Sequence, residues 1–306
     1  MRLLSFYVDG RLHLGVMTPA GVVDVAAAQA ALGIPSHGLR APETMDELLD
    51  GGGPPLEAVA SVAGRATDSG PDHPWLLAED GLRFGPCVPR PGKLFLVGRN
   101  YLRHAAETGG RTSDTPELFA KFANALAGHR EPIPLPPTAE RYDYEAELAV
   151  VIGRRARYVT EAQALSCVLG YCNANDLSAR DLQFRTSQWL LGKTLEKFLP
   201  IGPCIVTGDE VGEPQALRIR CWLNGELRQD ASTADMVFGV AHLISYISQY
   251  LALEPGDVIC TGTPEGVILG RGDRVWLKPG DEIVVEVEKL GRLVNTLVAG
   301  EGQALS

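Results

Sequence analysis

The chain has 306 residues, 45% of them hydrophobic and 22% charged, with a formal net charge of −10 at neutral pH. That length suits one large domain, or a large one with a small one, and the composition is ordinary for a soluble globular protein. The acidic balance, with no basic stripe carrying aromatics, argues against nucleic acid as a partner. No apolar run approaches the roughly 18 residues of a membrane span, and Met1–Gly10 lacks the apolar core of a secretory signal, so no membrane role and a cytoplasmic location are expected. Cys87, Cys167, Cys172, Cys204, Cys221 and Cys260 are scattered without a Cys-x-x-Cys pair, which reads as buried, reduced thiols.

In chain order, Leu3–Val8, Asp9-Gly10 and Arg11–Val16 predict a hairpin with a two-residue turn, and Val22–Val25 a third strand. Short helices are expected at Ala26–Leu32, Met45–Leu49 and Leu56–Ala66. The Gly-, Pro- and charge-rich stretch Asp68–Pro91 marks a boundary, giving a small N-terminal α+β domain at 1–87 and a larger domain at 88–306. The larger part predicts strands at Leu94–Val97, Tyr144–Ile152, Ile201–Val206, Leu217–Leu223, Val258–Thr261, Arg274–Leu277, Glu282–Glu288 and Leu293–Val298. Turn signals such as Asn224-Gly225 and Glu254-Pro255-Gly256-Asp257 separate them. Amphipathic helices are expected at Glu161–Leu169 and Val237–Leu251. The fold class is therefore α+β, mainly β, with a mixed, rolled or barrel-like sheet. No Gly-x-Gly-x-x-Gly or phosphate loop follows a strand, which argues against a nucleotide fold.

Several polar residues stand in settings that call for a partner. His104 and Glu107, three apart, would meet on one helical turn, where a carboxylate raises an imidazole's basicity and fixes its tautomer; a structural histidine is the plainer alternative. The following Thr108–Asp114 has the composition of a mobile lid. Asp143, Glu145 and Glu147 alternate through Asp-Tyr-Glu-Ala-Glu-Leu-Ala-Val-Val-Ile, so a strand places all three carboxylates on one face. Their repulsion, roughly 1 kcal/mol or more per pair, would be relieved by a cation or by solvent on an edge strand. Asp176 reads either as a helix N-cap or, with Arg180 and Gln183 four and seven residues on, as one member of a polar face. Lys193, within Trp-Leu-Leu-Gly-Lys-Thr-Leu, either snorkels or needs an anion. Thr263 lies in a Thr-Gly-Thr-Pro turn that reads equally as a tight reversal or as part of a cavity wall.

These blocks, in order, resemble the fumarylacetoacetate hydrolase superfamily across Lys93–Val298. They are Val-Gly-Arg-Asn-Tyr (97–101) with His104 and Glu107, Leu-Phe-Ala-Lys (118–121), Asp-Tyr-Glu-Ala-Glu-Leu (143–148) and Asn-Asp-Leu-Ser-Ala-Arg-Asp-Leu-Gln (175–183). Gly-Lys-Thr-Leu (192–195), Leu-Pro-Ile-Gly-Pro (199–203), Leu-Asn-Gly-Glu (223–226), Pro-Gly-Asp-Val-Ile (255–259) and Thr-Gly-Thr-Pro-Glu-Gly-Val (261–267) follow. The resemblance implies a mixed β-roll, a homodimer, and Mg²⁺ or Mn²⁺ held by Glu145, Glu147 and Asp176. It implies that Lys193, Arg180 and Gln183 contact substrate and that His104 with Glu107 activates water; Tyr101 and Thr263 are further candidates for substrate binding. Residues 1–87 look like the small N-terminal domain many members carry. Two positions depart from the pattern: Arg99 stands where many relatives have an apolar residue, and Glu196 replaces a common Asp.

Three carboxylates suit a hard cation, with positions left for a chelating 2-oxo or 2,4-dioxo acid. The expected reaction is hydrolysis of a carbon–carbon bond in a 2,4-dioxo acid, acylpyruvate-like or sugar-derived. In it His104 activates water while the cation and Lys193 stabilise the departing enolate. Decarboxylation or tautomerisation of a 2-oxo acid such as oxaloacetate is the alternative on the same residues. Arg99, Tyr101, Arg111 and Trp189 are candidates for selecting the distal half of the substrate.

Overall fold

The computed structural model describes residues 1–33, 40–50, 55–70 and 72–301. Strands Arg2–Val8 and Arg11–Thr18 pair around Asp9 and Gly10, both at positive φ (47° and 79°), the geometry that a two-residue hairpin turn requires. Gly21–Asp24 follows as the third strand. Asp24 then accepts a hydrogen bond from the Ala27 N–H and starts the helix Val25–Ala31.

Arg2–Val8 also pairs antiparallel with Leu199–Thr207, so one sheet runs from the N-terminal strands into the rest of the chain. Beyond Leu199–Thr207 it continues through Val168–Asn175, Ala146–Ile152, Val258–Cys260, Leu94–Gly98 and Glu117–Ala120. A second, five-stranded sheet runs Glu226–Ser232, Arg218–Leu223, Glu282–Val287, Arg292–Ala299, Ile133–Leu135. Both sheets are mixed: Val258–Cys260 is parallel to Leu94–Gly98, and Arg292–Ala299 to Ile133–Leu135. This is the α+β, mainly β architecture expected. One hydrophobic core lies between the two sheets, built on Leu148, Val150, Ile152, Ile219 and Val285. The other lies under the helices Val25–Ala31 and Leu56–Asp68, against Leu3, Val23, Ala149 and Val151.

The structure corrects four expectations. Glu161–Leu169 is helical only over Glu161–Ala164, continues as a 3₁₀ turn to Cys167, and becomes the strand Val168–Asn175. That strand is paired on both edges and buried on both faces, so its sequence lacks the alternation that marks a half-exposed strand. Arg274–Leu277 forms no strand. Glu117–Ala120 and Glu226–Ser232 are strands that the sequence pattern did not single out. The predicted strand Tyr144–Ile152 begins only at Ala146; Tyr142–Asp143 is a separate piece paired with Ser178–Ala179. All six cysteines are buried and unpaired.

Candidate active site

Ala146–Ile152 sits inside the sheet, and its register against Val168–Asn175 sets Ala146 opposite Asn175. Asn175 Oδ1 accepts the Glu145 N–H at 3.0 Å, and the Asp176 N–H donates to the Glu145 carbonyl at 2.9 Å. These bonds bring Asp176, 29 residues on from Glu147, beside both glutamates. Glu145, Glu147 and Asp176 are all buried, and one carboxylate oxygen of each lies within 4.8 Å of the others. Glu147 Oε2 accepts the Gly262 N–H at 2.8 Å. Gly262 has φ +94°, and a Cβ there would stand 2.8 Å from the Val97 carbonyl, so the turn closes on Glu147 only with glycine.

Three buried carboxylates this close cannot all carry charge without a counterion. Burial raises the Glu147 carboxyl well above its usual range, and Asp176 and Glu145 push it the same way. Burial would raise Glu145 too, but Lys193 and Arg180 outweigh it and hold that carboxyl below its usual range. Lys193 Nζ donates to Glu145 Oε2 (2.8 Å) and Asp176 Oδ2 (2.6 Å). Asp176 Oδ1 is paired with Lys121 Nζ at 2.5 Å. Among the described residues Glu147 meets no cationic side chain, and an all-oxygen, anionic donor set of this kind fits a hard divalent cation.

Asp143 does not join the cluster. The chain leaves the strand at Tyr144 and Glu145, so the alternation breaks, and Asp143 accepts the backbone N–H groups of Ile268 (2.8 Å) and Leu269 (3.0 Å). It is fully buried, which removes the solvated-edge alternative. Asp176 is no N-cap either: the short helix Arg180–Gln183 starts four residues later, with Ala179 at its cap.

Arg180 lies behind the cluster and does not line the cleft. Its Nε meets Asp143 (2.9 Å), Nη1 meets Gln183 Oε1 (3.0 Å) and Nη2 meets Glu145 Oε1 (2.7 Å), so the guanidinium is already occupied by protein partners. Its Nη2 thereby ties the guanidinium to a carboxylate of the cluster itself. Gln183 does line the cleft, together with Lys193, His104, Thr263, Glu145 and Glu147. Tyr101 is buried beside it, outside the lining, with an unpartnered hydroxyl. Thr263 Oγ1 accepts from Gln229 Nε2 at 2.8 Å.

The helix Leu102–Glu107 brings His104 and Glu107 together as their spacing predicted, with Nδ1 3.0 Å from Glu107 Oε1. Glu107 also accepts the Gly266 N–H (3.0 and 3.1 Å to its two oxygens), and a Cβ on Gly270 would stand 2.5 Å from the Glu107 carboxyl carbon. The carboxylate is thus held from two sides, and Nε2 is left as the ring's other proton site. At the outer end of the cleft, Trp189 packs on Gly98 and edge-on to Phe119, and the Arg99 guanidinium lies over its ring. Arg111 is exposed and outside the lining.

Sequence reasoning missed Lys121. This fully buried ammonium donates to the Leu177 carbonyl (3.0 Å) and the Phe198 carbonyl and pairs with Asp176. A lysine closing the apolar run Leu-Phe-Ala was the available signal, since a charge there needs an anion.

Residues 93–298 match the family model described as fumarylacetoacetate (FAA) hydrolase, C-terminal. A Bos taurus protein named oxaloacetate tautomerase FAHD2B, mitochondrial, is 41% identical over 304 residues, covering 97% of this chain and 92% of that protein. A maleylpyruvate hydrolase from Sphingobium sp. SYK-6, solved with manganese(II) and pyruvate, superposes with a TM-score of 0.75 at 28% identity over 98% of this chain and 100% of that one. A 5-carboxymethyl-2-hydroxymuconate delta-isomerase from Mycobacterium smegmatis gives 0.73 at 30% identity, covering 99% and 100%. The chain belongs to the fumarylacetoacetate hydrolase superfamily, whose members matched here are hydrolases, isomerases and tautomerases.

Proposed function

We propose that this member of the superfamily is a divalent-metal-dependent tautomerase of a short 2-oxo acid, with oxaloacetate as the leading substrate and Mg²⁺ or Mn²⁺ as the cation. The observation that carries the reading is the 41% identity, across nearly the whole chain, to a protein named for that activity. The cleft supports it by placing a fixed imidazole beside the buried Glu145, Glu147 and Asp176 cluster.

When bound there, a divalent cation supplies electrostatic stabilisation for oxygens that gain negative charge. The chain's own residues do the rest. Tautomerisation removes a proton from the enol oxygen and places one on the far carbon of the enol double bond, with no net change in atoms. His104, fixed through Nδ1 by Glu107, carries the proton at Nε2. Lys193 uses two of its three N–H donors on Glu145 and Asp176 and offers the third to a substrate oxygen. Gln183 and Thr263 orient the acid from the cleft wall.

Carbon–carbon hydrolysis of a 2,4-dioxo acid is the second reading. The His104–Glu107 pair equally suits activation of water, and the maleylpyruvate hydrolase likeness favours it. Both are decided by one pair of assays on protein loaded with Mg²⁺ or Mn²⁺. Accelerated decay of the oxaloacetate enol, without carboxylic acid release from acylpyruvates, supports tautomerisation. Solvent oxygen-18 appearing in a carboxylic acid product, with no enol acceleration, supports hydrolysis and removes the first reading.

A further inference from the structure

Among the described residues that line the cleft, the permanently cationic side chains are Lys193 and Arg99. The Lys193 charge is balanced by Glu145 and Asp176, which hold two of its three donors, while Arg180 and Lys121 are buried with protein partners of their own. Arg99 differs. It is 38% exposed, and the carboxylate it meets, Glu117, lies 3.3 Å away and is itself 37% exposed.

Its placement is built. Arg99 has φ +52°, a left-handed conformation that non-glycine residues rarely adopt. The guanidinium carbon lies 5.5 Å from the Trp189 ring centroid. On another side, a Cβ at Gly110 would stand 2.9 Å from Arg99 Nε, so that backbone packs directly against the side chain. Gly98, next in the chain, leaves room for Trp189 in the same way, since a Cβ there would stand 3.0 Å from the indole. The guanidinium is therefore held at the outer end of a cleft whose inner end is the carboxylate cluster.

We propose that Arg99 selects dicarboxylic 2-oxo acids by receiving the carboxylate remote from the oxo group, which makes the substrate class a 2-oxo diacid over a 2-oxo monoacid. This rests on the tautomerase reading for the inner end of the site. The chemistry is direct: a planar guanidinium matches a carboxylate through two parallel N–H donors, and contact with an aromatic ring does not consume them. A dianionic substrate approaching a chain of net charge −10 needs a local cation at the entrance. Glu117 holds Arg99 until the substrate's second carboxylate replaces it.

The test measures binding of oxaloacetate and of pyruvate to Mn²⁺-loaded wild type, Arg99→Gln and Glu117→Gln by relaxation of water protons near the bound Mn²⁺, alongside enol decay. Wild type should bind oxaloacetate more tightly than pyruvate. Arg99→Gln should raise the oxaloacetate Kd by about 10- to 100-fold, the range of a lost charge-assisted hydrogen bond, with the pyruvate Kd within about twofold. Glu117→Gln frees Arg99 and should lower the oxaloacetate Kd a few-fold. Equal effects on both acids, no effect on either, or wild type that does not prefer oxaloacetate overturns the assignment. Selective binding without enol decay leaves Arg99 in its role and overturns the tautomerase reading instead.

Discussion

Replacing Glu147 by Gln should make the metal-free protein more stable and the cation irrelevant to its stability. In the cation-free site Glu147 faces Glu145 and Asp176, with one oxygen of each within 4.8 Å of the others. At an effective dielectric near 20, two unit charges at that separation repel by about 3 kcal/mol. Lys193 cancels much of this, and the metal-free site escapes the rest by holding a proton on Glu147, which costs free energy at pH above the usual carboxyl range; a permanently neutral amide avoids that cost and should gain on the order of 1 kcal/mol. The amide keeps an acceptor for the Gly262 N–H and turns its NH₂ toward the remaining carboxylates. A chain of 306 residues unfolds with an entropy of about 0.6 kcal/mol per degree, so the gain is a rise of one to two degrees in melting temperature. In wild type, Mn²⁺ at a hundred times its Kd adds about 2.7 kcal/mol, or about 4 °C. Thermal unfolding with excess Mn²⁺ and with chelator, on both proteins, reads all four states. A Glu147→Gln variant that keeps the wild-type Mn²⁺ shift, or that melts below metal-free wild type, would refute the reasoning.

Four further outcomes follow from the same site and core. Because burial and its neighbours hold a proton on Glu147 above the usual carboxyl range, cation binding should release protons and tighten as pH rises; calorimetric titrations in buffers of different ionisation enthalpy would show it. The same shift means that the metal-free fold binds this proton more tightly than the unfolded chain does, so its contribution to stability is present at low pH and lost as pH rises through the raised value. His129 has the opposite sign. Burial, with Arg130 nearby, lowers it from 6.5 to about 4, so its neutral form, which accepts the Val294 N–H, contributes stability above pH 6.5 that is lost as pH falls toward 4. That loss is about 3 kcal/mol by linkage, and His129→Asn, which retains an acceptor, should flatten the fall in melting temperature between pH 6.5 and 4. His104→Ala should lower turnover by two to four powers of ten, roughly the worth of a positioned general base, with Mn²⁺ affinity kept; unchanged turnover would remove His104 from the chemistry.

The legible parts of the chain were those where local chemistry dictates geometry. The Asp9-Gly10 hairpin and the three-residue spacing of His104 and Glu107 needed no tertiary information, and the structure shows both. Glu145 and Glu147 were visible as alternating acids, but Asp143 misled: its neighbour Tyr144 leaves the strand, and the backbone of Ile268 and Leu269 claims the carboxylate. Val168–Asn175 escaped because a strand buried on both faces carries no period of two. Arg180 was legible as a member of the polar site, but its ties to Glu145 and Asp143, 35 and 37 residues away, were not. Lys121 was equally a long-range matter, since its carbonyl partners belong to Leu177 and Phe198.

Anomalous diffraction from crystals grown with Mn²⁺ and a 2-oxo diacid tests the site most directly. The expected map has one strong manganese peak ligated by Glu145, Glu147 and Asp176, with the diacid between it and Arg99. A manganese peak elsewhere, or a diacid bound without contact to those carboxylates' ion, would contradict it.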